Sequence, residues 1–277
     1  MKTILYLTSA LLCAVTHAAE PRAITPDKVI SLFNGKDLSA FYTWDIRHGR
    51  DNDVARVFTV VERIDDAPAI RISGEIFGGI VTHQRFANYK FICEFRWGLL
   101  TWQPRRDKTR DGGILFHSQG EAGNNEPTLR GAYMHSVEYQ LIEGGTGDLI
   151  LVRGHYRDRE KPLFPTLHTT IVPGTRRWDP NGTAIMLKEG FHRTDWQHKD
   201  PQWKDVLGFR GPRDVEKPVG EWNRLEAIID GGSVTFFLNG VKVNEGRDGD
   251  LKEGRILIQS EGAEMFFRNI ELHPLRR

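Results

Sequence analysis

The heptapeptide Val137-Glu138-Tyr139-Gln140-Leu141-Ile142-Glu143 sets two carboxylates around an amide. Side chains of an extended strand alternate between its faces, so Glu138 and Gln140 share one face, and a single bulged residue would bring Glu143 to it as well. Neighbouring carboxylates drive their pKa values apart, which separates a proton donor from a proton acceptor, the equipment of glycosidic-bond cleavage. His117, in Gly112-Gly113-Ile114-Leu115-Phe116-His117-Ser118, has the parity of the same face. As a neutral imidazole it can transfer a proton, donate to a developing oxyanion or hold a metal. Arg96 projects from its strand opposite Phe91 and Phe95; with Trp102 and Tyr133 it offers hydrogen bonds and aromatic faces for polar rings. His135, close to Tyr133 and at the head of the Glu138 segment, joins that substrate-binding set.

These residues need short strands to present them. Tyr89, Phe91, Cys93, Phe95 and Trp97 have one parity and Lys90, Ile92, Glu94 and Arg96 the other, the period-2 pattern of a half-buried antiparallel strand. Arg56 to Glu62, Ala69 to Ser73, Gly112 to Ser118, Ser136 to Ile142 and Leu149 to Arg153 read alike. Near the end, Trp222 to Asp230, Val234 to Leu238 and Val241 to Asn244 are joined by Gly231-Gly232 and Asn239-Gly240, pairs that accept the positive φ of tight hairpin turns. Arg255 to Ser260 and Glu264 to His273 complete the set. No segment of similar length has helical periodicity, so the chain is expected to be all-β, an antiparallel two-sheet sandwich or jelly roll. It reads as one domain over 28–277. An insertion at about 154–218, rich in Pro and Trp, is too long for a connector and is expected as a loop excursion packed on the sandwich.

The 277 residues carry 38 Lys or Arg and 37 Asp or Glu, a net charge of +1, which argues against nucleic acid as a partner. Lys2, the apolar run Ile4 to Val15 and the small residues at Thr16 to Ala19 form a signal-peptide pattern, cleaved after Ala18 or Ala19, so residues 1–18 predict export to a periplasm or the medium and no transmembrane span. Beyond it Cys93 is the one cysteine, which precludes an intramolecular disulfide; its place in an alternating strand marks a buried structural thiol. His135, His155, His168, His192 and His198 lack metal-site spacing, and phosphate-cradling loops, nucleophile elbows and a dinucleotide fingerprint are absent.

Glu138-x-Gln140-x-x-Glu143 resembles the Glu-x-Asp-x-x-Glu signature of laminarinase-like jelly-roll glycosidases, with an amide replacing the central acid. More of the chain resembles the 3-keto-disaccharide hydrolase domain family, the 3-keto-glucoside lyases and hydratases. The likeness rests on Ser31-Leu32-Phe33-Asn34-Gly35-Lys36-Asp37-Leu38, on Asp111 to His117, on Val137 to Gly144, on Pro218 to Asn223, on Leu238 to Val241 and on Phe267-Arg268-Asn269-Ile270, in that order. It implies a concanavalin A-like jelly roll that cleaves the glycosidic bond of a 3-keto-glycoside. A ketone at carbon 3 acidifies the hydrogen on carbon 2, a base removes it, the enolate expels the group on carbon 1, and water is added back. On this reading Glu138 is the base, His117 or a metal it holds faces the ketone oxygen, Glu143 is the proton donor, and Arg96 and Gln140 orient hydroxyls. A divalent metal is an optional cofactor. A separate sugar 3-dehydrogenase is expected to make the substrate. A conventional glycosidase on unmodified glucans and a noncatalytic carbohydrate-binding module remain the alternatives.

Overall fold

The computed structural model describes residues 20–276. The signal peptide expected at 1–18 lies outside the described residues. Among those described, no helix is long and apolar enough to cross a membrane.

Two eight-stranded sheets, antiparallel throughout, pack face to face. In the first, Val241–Gly246, Ser233–Leu238, Asn223–Asp230, Tyr89–Thr101, Ala263–Pro274, Ala67–Ile72 and Phe58–Ile64 follow in that order, with Ile30–Ser31 on Ala263–Pro274. The second runs Arg193–Thr194, Leu149–Val152, His135–Ile142, Asp111–Gln119, Arg255–Ser260, Gly78–Thr82, Phe41–Asp45 and Gly49–Arg50. This is the jelly-roll sandwich that the alternation predicts. Consecutive hairpins are joined by pairings between strands distant in sequence, so both sheets close only when the chain's two ends come together. Ala263–Pro274, for instance, pairs with Tyr89–Thr101.

The core lies between the sheets and is strongly aromatic. Phe116 and Tyr139 from the second sheet meet Phe91 and Phe236 from the first; Tyr139 stacks on Phe236 with ring centroids 4.3 Å apart, and Phe91 meets Phe116 edge-on at 5.3 Å. Burying each such ring contributes roughly 1.5–3 kcal/mol. Cys93 is fully buried in this layer, and burial raises its thiol pKa, which fits a structural role. Trp97 also faces inward, its Nε1 donating to Glu216, so it is not a sugar platform.

The 154–218 stretch is more ordered than a loop excursion. Leu167–Ile171 and Thr183–Leu187 form a two-stranded sheet, and Arg193–Thr194 extends the second main sheet beside Leu149–Val152. Leu167, Leu187 and Trp196 join the main core. The short apolar alternation Leu167, Thr169, Ile171 is the signal that marks the first of these strands.

Because Phe236 carries the contact between sheets, Phe236→Ala should lower unfolding free energy by about 3–5 kcal/mol, measurable by chemical denaturation.

Candidate functional site

Register defines one face of the second sheet. Arg193, Ile150, Glu138, Leu115, Leu257, Val81 and Tyr42 lie opposite one another in successive strands, forming a single lateral row. Partners in register point the same way, and Tyr139 and Phe116 face the core, so this row is on the outer face. Beside it Gln140 pairs with Gly113, and Trp44 pairs with Gly79, which also pairs with Gln259. Glycine leaves this second row without a side chain at two points. A Cβ on Gly113 would sit 2.6 Å from Glu138 Oε1 and 2.5 Å from Gln259 Oε1. Gly113 is therefore a floor on which the polar ends of Glu138 and Gln259 rest, and any larger residue would displace them.

Three carboxyl groups gather here. Glu138 is 5% exposed, and burial, reinforced by the charge of Asp111, pushes its pKa up to about 8 against the pull of Arg193 and Gln259. Asp111 is raised to about 7 by burial, opposed by Arg105, Arg193 and the Gly112 amide. Its Oδ1 accepts from Gln140 Nε2 and, at 3.0 Å, from Gly112 N; its Oδ2 is 3.2 Å from Arg105 Nε. Glu261, in the turn after Arg255–Ser260, is raised well above the carboxylate range by burial and then by Asp111 and Glu138. Tyr133 lies against Glu261, and the Tyr133 hydroxyl and Gln259 Oε1 are both buried without a well-formed hydrogen bond among the described residues. Unmatched buried polar atoms on a glycine floor are what a hydroxyl-rich ligand would satisfy.

Loops hold these groups. Arg105 Nη2 donates to Asp205 Oδ1 at 2.9 Å and to Thr109 O and Oγ1 at 3.0 Å. Arg193 pairs with buried Asp148 at 2.5 Å, as does Lys199. Burial alone would raise the Asp148 pKa, but Lys199 and Arg193 outweigh it and hold it below the ordinary value.

Glu138 and Gln140 thus share a face as the alternation implies, and Tyr133, expected only from its nearness in sequence, lies near them against Glu261. The other predicted residues do not join them. His117 is turned away by a register shift between Phe116 and Gln119, where its own φ is 55°. It is fully buried, its Nε2 lies 3.1 Å from Gly231 O in a turn of the other sheet, and burial lowers its pKa to about 4. The bulge follows the residues from which parity was counted, so parity counting gave the wrong face. Glu143 fails for the converse reason: pairing runs unshifted from Glu138 to Ile142, and no bulge brings Glu143 across. Its carboxylate is taken by Arg110, with Nη1 at 2.7 Å and the backbone N at 2.9 Å, and by Gly208 N at 3.0 Å.

Arg96 does have outward parity, but on the first sheet. It pairs with Asp65 at 2.7 Å and lies over Trp222, on the far side of the sandwich from Glu138. Alternation identifies a face of a strand without saying to which sheet it belongs. Trp102 contributes only indirectly: its Nε1 donates to Ser73 O at 2.9 Å, its backbone bonds Gly262 next to Glu261, and its carbonyl receives Arg105 N. His135 faces a different cavity.

Asp111, Gln259, Glu261, Arg105 and Arg193 were missed in the sequence. Asp111 opens a segment already singled out, and Gln259 has outward parity in the Arg255–Ser260 strand, so both carried a signal. Glu261 and Arg105 lie in turns, where no periodicity reports direction. As to the optional metal, among the described residues no three His, Cys, Asp or Glu side chains are placed to hold an ion. Asp111 is already shared by Arg105, Gln140 and Gly112, a donor set that fits a resident cation poorly.

The chain matches the 3-keto-alpha-glucoside-1,2-lyase-like domain over residues 28–273. It belongs to this family. Membership makes it a carbohydrate-active protein. No protein of curated function matches the sequence. Solved structures similar in chain path include a candidate glycosyl hydrolase from Parabacteroides distasonis ATCC 8503, 18% identical with a TM-score of 0.48 over 90% of this chain and 95% of that one. The carbohydrate binding module CBM66 from Bacillus subtilis is 12% identical, TM-score 0.41, over 86% and 96% of the two chains. The Bacillus licheniformis beta-glucanase is 8% identical, TM-score 0.38, over 89% and 97%.

Two tests separate the acids. Removing Glu143 leaves Arg110 buried and unpaired, so Glu143→Ala should cost about 3–5 kcal/mol of stability by denaturant titration. Glu138 has a folded pKa above its unfolded value of 4.5, so the native state holds the extra proton. Its stabilising contribution is complete below about pH 4.5 and is lost as pH rises through about 8. Glu138→Gln removes that loss, so its melting temperature relative to wild type should climb steadily between those values in a pH series.

Proposed function

We propose that this member of the 3-keto-alpha-glucoside-1,2-lyase-like family cleaves the glycosidic bond of a 3-keto-glycoside by elimination, with hydration restoring the sugar. The observation that carries the reading is the gathering of buried Asp111 and Glu138 with half-buried Glu261 near Gly113, all with pKa values displaced upward. Elimination next to a ketone needs a base for the hydrogen on carbon 2, a donor for the leaving oxygen and something to face the enolate, and it needs no carboxylate nucleophile.

Glu138 serves as the base. Its raised pKa makes its carboxylate a stronger proton acceptor than an ordinary glutamate, and Gln259 and Arg193 favour its ionised form. Glu261, raised well above the ordinary carboxylate range and set against Tyr133, is the acid that donates to the leaving oxygen on carbon 1. Asp111 is fixed by Gln140 and Arg105, and its charge keeps the other two basic. The Tyr133 hydroxyl and the guanidinium of Arg105 supply donors for the enolate oxygen. The proton from carbon 2 goes to Glu138, the electron pair of that C–H bond becomes the new double bond, and the carbon 1–oxygen bond breaks as Glu261 protonates the departing alcohol. Addition of water across the double bond uses the same two residues in exchanged roles. Glu261 and Tyr133 thus take the parts that the family resemblance implied for Glu143 and His117.

Such a substrate requires a sugar 3-dehydrogenase acting beforehand. The signal-like residues 1–18 support export, so the reaction is placed in a periplasm or the medium.

Incubation with an aryl 3-keto-glucoside and with its unoxidised parent tests the reading. Release of aglycone is expected from the first only, and Glu138→Gln should reduce it at least about 100-fold, the usual worth of a general base. Equal release from both substrates would instead indicate a conventional glycosidase.

A further inference from the structure

A separate cavity of about 690 Å3 lies beyond the head of the Glu138 strand, lined by His135, His155, Tyr156, Leu129, Leu163 and Leu251 among others. His135 is three residues from Glu138, so alternation sends the two side chains to opposite faces of the strand. The cavity shares no lining residue with the carboxylate cluster.

Its polar equipment is unmatched. His135 is 4% exposed; its Nδ1 lies 2.7 Å from the Tyr156 hydroxyl, and its Nε2 is buried with no partner among the described residues. The Nε2 of His155 is buried and unpartnered in the same way. Leaving such a nitrogen unsatisfied costs about 1–3 kcal/mol. Nearby amides cannot relieve it: Asn124 Oδ1 accepts from His135 N and its Nδ2 donates to Gln119 O, while Gln119 Nε2 donates to His117 O.

The chemistry of a fitting ligand follows. Burial lowers the His135 pKa to about 4, so at neutral pH the ring carries no charge to attract an anion. The charged residues that line the cavity, Glu20, Glu121, Asp158, Arg157 and Arg159, carry a net charge of −1, and Arg157 pairs with Glu121 at 3.0 Å. If the Tyr156 hydroxyl donates to Nδ1, Nε2 is an N–H donor; if it accepts, Nε2 is an acceptor. A sugar hydroxyl can meet either case, because it both donates and accepts. The leucines and the Tyr156 ring suit the C–H face of a pyranose, and the volume suits one or two rings.

We propose that this cavity is a second carbohydrate site, taking a neutral mono- or disaccharide through hydroxyl hydrogen bonds to His135 Nε2 and His155 Nε2 and through packing on Leu163 and Tyr156. It holds sugar without cleaving it: of the carboxylates that line it, Glu20 is held by Arg255 at 2.9 Å and Glu121 by Arg157 at 3.0 Å, which leaves Asp158 without a second acid to work with.

The test uses the full chain carrying Glu138→Gln, so that nothing is turned over. Glucose, cellobiose and maltose are titrated by calorimetry, with glucuronate as the acidic control. At least one neutral sugar should bind, glucuronate more weakly. Adding His135→Leu should weaken binding about 5- to 10-fold, the worth of one hydrogen bond. Tyr156→Phe, which keeps the ring and removes only the hydroxyl, should weaken it in the same direction and guards against a His135 variant that fails to fold. The His135 Nε2 resonance should move on sugar addition. Absence of binding by all three neutral sugars, binding unchanged in Tyr156→Phe with a still His135 resonance, or stoichiometric capture of Zn2+ with no sugar binding would each overturn the proposal.

Discussion

Asp111, Glu138 and Glu261 share one poorly solvated volume, and three negative charges cannot coexist there. Protons must be retained, and the neighbours decide where. Arg105, Gln140 and the Gly112 amide gather on Asp111, which therefore ionises first. Glu138 has weaker support, and Glu261 is raised well above the ordinary range. The gradient comes from unequal hydrogen bonding within a common low dielectric. It gives acid and base character to groups that would be interchangeable in water.

Carboxylates elsewhere in the fold are treated in the opposite manner. Glu143 accepts three hydrogen bonds from Arg110 and Gly208, and Asp148 receives Arg193 and Lys199. Those pairs tie the 193–210 chain onto the second sheet and so place Arg193 beside Glu138. A satisfied acid fixes the frame; an unsatisfied one is left free to exchange protons. The same distinction separates the aromatic core, where Tyr139 and Phe236 are closely stacked, from the outer face, where Gly113 lets the polar ends of Glu138 and Gln259 close over the backbone.

The imidazoles illustrate the same division. His117 is buried and has one ring nitrogen committed to Gly231 O, bracing the Asp111–Gln119 strand against the turn of the opposite sheet. His135 also has one ring nitrogen engaged, but its second faces a cavity large enough for a ligand. Burial lowers both pKa values to about 4, so neither acts as a charge near neutrality. What differs is the empty volume next to the remaining nitrogen.

Strand alternation made the sandwich legible in the sequence: Arg255–Ser260 was read to the residue, and most other expected strands differ from those observed by two residues or fewer at either end. It also placed Glu138 and Gln140 on a common outward face, because parity is a local property of extended backbone and survives wherever pairing is regular. Parity failed at His117, where one positive φ and a bulge reversed the face, and at Glu143, where the expected bulge is absent. It was silent on Arg96, whose face was right and whose sheet was wrong, and on Glu261 and Arg105, which lie in turns. Sequence therefore determined the fold class, the one acid at the centre of the site and most of the strands, though not Phe41–Asp45 or Gly78–Thr82. Only the tertiary structure decided which acids join it, since companionship across a sheet depends on long-range pairing and on the burial that pairing creates, neither of which is encoded in the spacing of neighbouring residues.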